Sequence, residues 1–150
     1  MKTTVVLGLG NILLGDEGAG VRVVEELERT GGLPGVELVD GGTAGLRLLP
    51  YFDGAARVVV VDASADGAPP GTVTVTRPAF TGPPRAALTP HDLGLMSLLD
   101  ALALADERPE IVLVTISVAE ADTVSASLEL TPPVARAVPE AAARVRGLLT

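Results

Sequence analysis

A 150-residue chain with 47% hydrophobic and 20% charged residues has the composition of one globular domain, which excludes a disordered or fibrous protein. Its 19 acidic residues outnumber 11 basic ones, for a net charge of −8. That balance argues against nucleic acid or an anionic membrane as a partner, because neutralising phosphates takes clustered Lys and Arg.

Cysteine is absent, which rules out disulfides, thiolate metal sites and a cysteine nucleophile. No apolar run approaches the ~20 residues that span a bilayer. The chain passes from one lysine straight into a strand pattern without a signal-peptide signature, so a cytoplasmic protein is expected. With aromatic residues at only 2%, the core must be aliphatic.

"TTVVLGL" (Thr3–Leu9) is β-branched, apolar and ended by glycine, the pattern of a buried strand. A helix is predicted over 18–29, with Val21, Val24 and Leu27 inward and Arg22, Glu25, Glu26 and Glu28 outward. "GGLPG" ends it, a strand follows over 36–40, and "GGTAGLRLLPYF" predicts a short helix stopped near Pro50. Four consecutive valines closed by Asp62 make 56–63 the strongest strand, and "GTVTVT" alternates as a half-exposed edge strand should. "LTPHDLGLMSLLDALALA" opens a helix with Thr89 as cap, Pro90 in the first helical position and Asp92 completing a capping box. "EIVLVTISV" is another buried strand. "LTPPVARAVPEAAARVRGLL" predicts a final helix, again with a Thr, Thr131, and then Pro at its entrance, whose first turns Pro139 should disturb. "DGAPPG" and "RPAFTGPPRA" are loops beside the edge strand. Alternating strands and helices predict a three-layer α/β/α sandwich around a mostly parallel five-stranded twisted sheet with one antiparallel edge strand.

In such a sheet, ligands bind beyond the carboxyl ends of the strands, where the strand order reverses. Asn11, Asp16 and Glu17 follow the first strand, Asp40 with Gly41, Gly42 and Thr43 the second, and Asp62 the valine strand. His91, the single histidine, opens the next long helix. Each has an ordinary explanation: Asp16 and Glu17 complement a helix dipole, and Gly41, Gly42 and Thr43 form a tight turn and cap. Their gathering on one edge points instead to a divalent cation, for which carboxylates and a neutral imidazole are suitable donors.

A dinucleotide-binding module is the main rival, since Gly8, Gly10 and Asp40 match parts of its fingerprint. Leu13, however, stands where the third glycine belongs, and Asp16 and Glu17 would face a pyrophosphate with like charge.

"GLGNILLGDEGAGVRVVEEL", "LVDGGTAG", "VVVDA", "TPHDLGL" and "LTPPV" together resemble, in order and spacing over essentially the whole chain, the maturation endopeptidases of nickel-iron hydrogenases. The resemblance implies an endopeptidase that removes a C-terminal extension from the [NiFe] hydrogenase large-subunit precursor once nickel has been inserted. It also implies a metal site of Glu17 in "GDEG", Asp62 in "VVVDA" and His91 in "TPHD". The nickel arrives with the substrate, and zinc or cadmium is able to substitute for it. Asp16 or Asp62 is then a candidate general base, and Asp40, Gly41, Gly42 and Thr43 are candidate substrate contacts. The chain departs from the family after its fifth strand, where "ISVAEADTVSASLEL", with Ser117, Ala119 and Glu120, replaces a Gly- and Pro-containing turn. A precursor-binding chaperone that does not cut would use the same residues. No heptad or long apolar stripe demands self-association, so a monomer is expected.

Overall fold

The computed structural model describes residues 3–78, 93–120 and 126–150. Along them run β1 (Thr3–Leu9), α1 (Ala19–Arg29), β2 (Val36–Gly42), β3 (Ala55–Ser64), β4 (Val73–Thr76), α2 (Leu93–Ala103), β5 (Glu110–Ser117) and α3 (Pro132–Leu149). Two 3-10 turns, Gly15–Gly18 and Gly45–Tyr51, precede α1 and β3. The strands form one sheet in the order β2-β1-β3-β5-β4, parallel throughout except for β4, which runs antiparallel to β5 at the edge. This is the architecture expected from the alternation of elements.

The valine strand lies at the centre because only a position covered on both faces buries consecutive apolar residues. Val59 and Val61 join Val6, Val112 and Val114 under α1 and α3. Val58 and Val60 join Val5, Leu7 and Leu113 under α2 and the second 3-10 turn. In β4, Val73 and Val75 pack toward the core while Thr74 and Thr76 are exposed, which is the period-two pattern of a half-buried edge.

Three local features differ from expectation. The first helix starts at Ala19, one residue later than its sequence pattern suggests, because Gly15, at φ +58°, opens a separate 3-10 turn through Gly18. The segment before Pro50 is 3-10 and continues to Tyr51, as short helical pieces often do. Pro139 does not interrupt α3, which is continuous over Pro132–Leu149. Proline deprives the carbonyl four residues earlier of its donor, and that carbonyl belongs to Ala135, which is exposed alongside Pro139 and open to water. The cap expected at Thr89, Pro90 and Asp92, and most of "RPAFTGPPRA", lie outside the described residues.

Candidate active site

The chain leaves β1 toward β2 on one side and later places β3 on the other. The strand order therefore reverses between β1 and β3, and a crevice opens beyond their carboxyl ends. Asp40, Gly8 and Val61 stand level across β2, β1 and β3, and Asp62 lies one residue past that row, paired with Thr115 of β5.

Asp62 is 5% exposed. Strand alternation puts it on the same face as Val58 and Val60, toward the α2 layer. Its Oδ1 accepts the Ala63 N–H at 2.8 Å. Its Oδ2 is buried and, among the described residues, accepts no hydrogen bond. Native folds pair nearly all buried polar atoms, because an unpaired one loses its hydration without compensation. An orphaned carboxylate oxygen at a topological switch point is therefore a candidate for binding a ligand.

The glycines of the first loop fit the chain onto itself. A Cβ on Gly8 would lie 2.5 Å from the Gly20 carbonyl oxygen, and one on Gly20 would overlap the Val61 carbonyl oxygen. Gly10, at φ +127°, is closed over by the Glu17 carbonyl. The loop is thus filled by its own backbone, with a carbonyl where a phosphate cradle needs N–H donors, which removes the physical basis of the nucleotide alternative. Leu13, in place of the third glycine, is exposed, and its N–H is taken by the Asn11 side chain at 3.0 Å.

The adjacent carboxylates Asp16 and Glu17 part company. The backbone N–H and hydroxyl of Thr131 donate to the two oxygens of Asp16, at 2.8 and 2.7 Å. Glu17 is half-buried, and no hydrogen bond or ion pair joins its carboxylate to another described residue. In a 3-10 turn, successive side chains project about 120° apart, so a turn that directs Asp16 toward α3 aims Glu17 elsewhere. The same turn packs against β3, the strand that carries Asp62.

At the end of β2, Asp40 accepts the Gly42 N–H at 3.0 Å, and the Gly42 carbonyl accepts the Gly10 N–H at 2.9 Å. The second of these bonds ties the loops after β1 and β2 together. Gly42 takes φ +50°, Gly41 is buried and Thr43 is exposed. On the other side of Asp62, the buried pair Ser64 and Ser117 extends a polar patch across β3 and β5, and Ser117 Oγ donates to Asp66 at 3.2 Å. His91 lies outside the described residues, and among those described no three His, Cys, Asp or Glu side chains gather closely enough to hold a metal.

The sequence model of the family described as hydrogenase maturation protease matches residues 21–147. The chain belongs to the hydrogenase maturation protease family. It is 41% identical to the hydrogenase expression/formation protein HupD of Bradyrhizobium diazoefficiens over 134 residues, covering 86% of this chain and 68% of that protein. Against the hydrogenase 2 maturation protease of Escherichia coli it is 45% identical over 113 residues, 70% of this chain and 66% of that one. The chain spans about half to two thirds of the length of the curated relatives it matches. Among solved structures it is similar to the hydrogenase-maturating endopeptidase HybD of E. coli, with a TM-score of 0.79 and 34% identity over 98% of this chain and 91% of that one. The [NiFe] hydrogenase maturation protease HybD of Thermococcus kodakarensis superposes with a TM-score of 0.71 at 26% identity, over 99% of each chain.

In this member of the hydrogenase maturation protease family, Thr131 is the residue that sequence reasoning missed. Its place before two prolines marks it as a helix cap, but its hydroxyl makes no cap bond to its own helix. The hydroxyl donates instead to Asp16, 115 residues away. The two prolines were the available signal.

Proposed function

We propose that this protein is an endopeptidase that removes a C-terminal extension from the nickel-loaded precursor of a nickel-iron hydrogenase large subunit. The observation that carries this is the buried Oδ2 of Asp62, without a hydrogen-bond partner among the described residues, at the reversal of strand order, with the Glu17 turn packed on the same strand. Family membership and the names of the relatives support it.

Glu17, Asp62 and His91 are the proposed donors to the nickel that the precursor brings, a recognition of correct loading as well as an anchor. Two carboxylates and one imidazole suit a borderline divalent cation. A bound cation of this kind polarises a carbonyl or lowers the pKa of a water. The chain's own part is to hold the scissile peptide in the crevice and to move a proton. Asp16 is the poorer candidate for general base, because both its oxygens already accept hydrogen bonds from Thr131; Asp62 takes that role only where nickel orients the chain without binding its carboxylate. Asp40, Gly41, Gly42 and Thr43 border the crevice on the β2 side, where the exposed Thr43 hydroxyl is the group best placed to meet the substrate chain. A monomer acting in the cytoplasm completes the proposal.

The test is to incubate the purified chain with nickel-loaded and metal-free precursors and to weigh the products by mass spectrometry. Only the loaded precursor should lose its extension. Glu17→Gln, Asp62→Asn and His91→Ala should each lower the rate by about 10²-fold or more, with circular-dichroism melts showing folded protein. Efficient cleavage of metal-free precursor by the triple variant would refute the proposal. An unchanged mass together with a stable complex would make the chain a chaperone.

A further inference from the structure

The 3-10 turn that carries Glu17 is laced on its outer side to the segment leading into α3. Ser127 donates its N–H to the Leu13 carbonyl at 2.8 Å, and its own carbonyl accepts the Gly15 N–H at 2.7 Å, a bridge centred on Leu14. Arg22 of α1 donates to the Leu128 carbonyl at 3.0 Å. Thr131 closes the lacing with its two bonds to Asp16, at 2.8 and 2.7 Å. Gly15 admits this close approach, since a Cβ there would lie 3.2 Å from the Glu129 carbonyl oxygen. On its inner side the turn is pinned by Gly18, whose Cβ would meet the Ile12 backbone at 2.7 Å.

We infer that Asp16 is a positioning residue: it ties the turn to Thr131 and thereby fixes the direction in which Glu17 presents its carboxylate to a cation. Both bonds are charge-assisted and come from one residue, so they restrain the turn in rotation as well as in distance. Of the remaining bonds of the lacing, the two of Ser127 are backbone bonds on the side of Leu13 and Gly15, before the carboxylates, and the Arg22 bond starts from α1; among the described residues, Asp16 is the member of the turn itself that is tied through its side chain. With a turn of only four residues, Gly15–Gly18, loss of that restraint passes directly to its neighbour Glu17. This gives the adjacent carboxylates separate tasks, one held by the fold and one left for the ligand. It rests on the proposed role of Glu17 in holding the metal.

Asp16→Asn is the discriminating substitution. Its carbonyl accepts the Thr131 N–H and its amide donates to the Thr131 hydroxyl, so the tie survives while any proton-accepting function is lost. Cd²⁺ affinity of the full chain by titration calorimetry, amide exchange at 15–18 and cleavage of nickel-loaded precursor are the three readouts. Asp16→Ala and Thr131→Val should weaken Cd²⁺ binding and lower kcat by about 10- to 100-fold while Asp16→Asn and Thr131→Ser stay within about threefold of the parent, the range typical of groups that orient a ligand. KM should change little, and exchange at 15–18 should accelerate in the two damaging variants alone.

Inactivity of Asp16→Asn equal to that of Asp16→Ala would overturn the inference in favour of a general base. Equal Cd²⁺ affinity in Asp16→Ala and the parent, whether or not either binds, would overturn it as well. A parent that binds Cd²⁺ in the expected rank order but never cleaves would sink the endopeptidase proposal and leave this one standing.

Discussion

At the scale of single residues, Asp62 combines two properties that a structural aspartate does not need. It is buried at the end of an all-valine strand, and one of its oxygens accepts nothing among the described residues. Such an arrangement lowers stability in return for a group ready to bind. Asp62→Asn keeps the shape and the Ala63 contact but removes the carboxylate group. In the absence of metal this variant should be more stable by about 1 kcal/mol, measured by urea unfolding, while losing cleavage. A variant that is both inactive and markedly less stable would show that Asp62 serves the fold. Asp16 illustrates the opposite case. In the sequence it is indistinguishable in kind from Glu17, yet its two oxygens are already bonded to Thr131.

At the scale of elements, the approach of α1 to the sheet decides the position of everything in the first loop. Gly8 of β1 and Gly20 of α1 meet backbone to backbone, and Gly20 also sits over the Val61 and Leu9 carbonyls. Any side chain at Gly20 would push the helix off β1 and β3 and carry the Glu17 turn with it. Gly20→Ala should cost about 1–3 kcal/mol or more, as overpacking does, with cleavage falling in step, and denaturant unfolding would measure it. An unchanged midpoint would mean that the helix is free to shift. The glycine-rich opening was legible as a turn at a helix entrance. Its purpose was not, because close backbone packing and phosphate binding both call for residues without a Cβ. Pro139 was misleading for a related reason: the penalty for proline in a helix depends on whether the freed carbonyl meets water, and exposure is a tertiary property.

At the scale of the whole molecule, both edges of the sheet carry polar or charged groups, Glu37 and Asp40 on β2 and Thr74 and Thr76 on β4, with Arg77 just beyond. Such edges resist pairing with a second copy, and the net charge of −8 adds repulsion between copies. Light scattering at micromolar concentration should therefore give the mass of one chain, whereas a stable dimer would place an apolar face where none is expected.

The sequence by itself determined the three layers, the strongest buried strand and the antiparallel edge strand, because hydrophobic period and glycine or proline punctuation are local properties of a chain. It also picked out Asp62, since a carboxylate that closes a run of buried valines is conspicuous without coordinates. Only the tertiary structure separated Asp16 from Glu17, turned Thr131 from a cap of its own helix into an anchor for a turn 115 residues away, and filled the glycine loop with its own backbone. Those outcomes depend on which groups meet in space, and the energy of a hydrogen bond or a close contact falls away within an ångström or two, a distance that spacing along the chain does not encode.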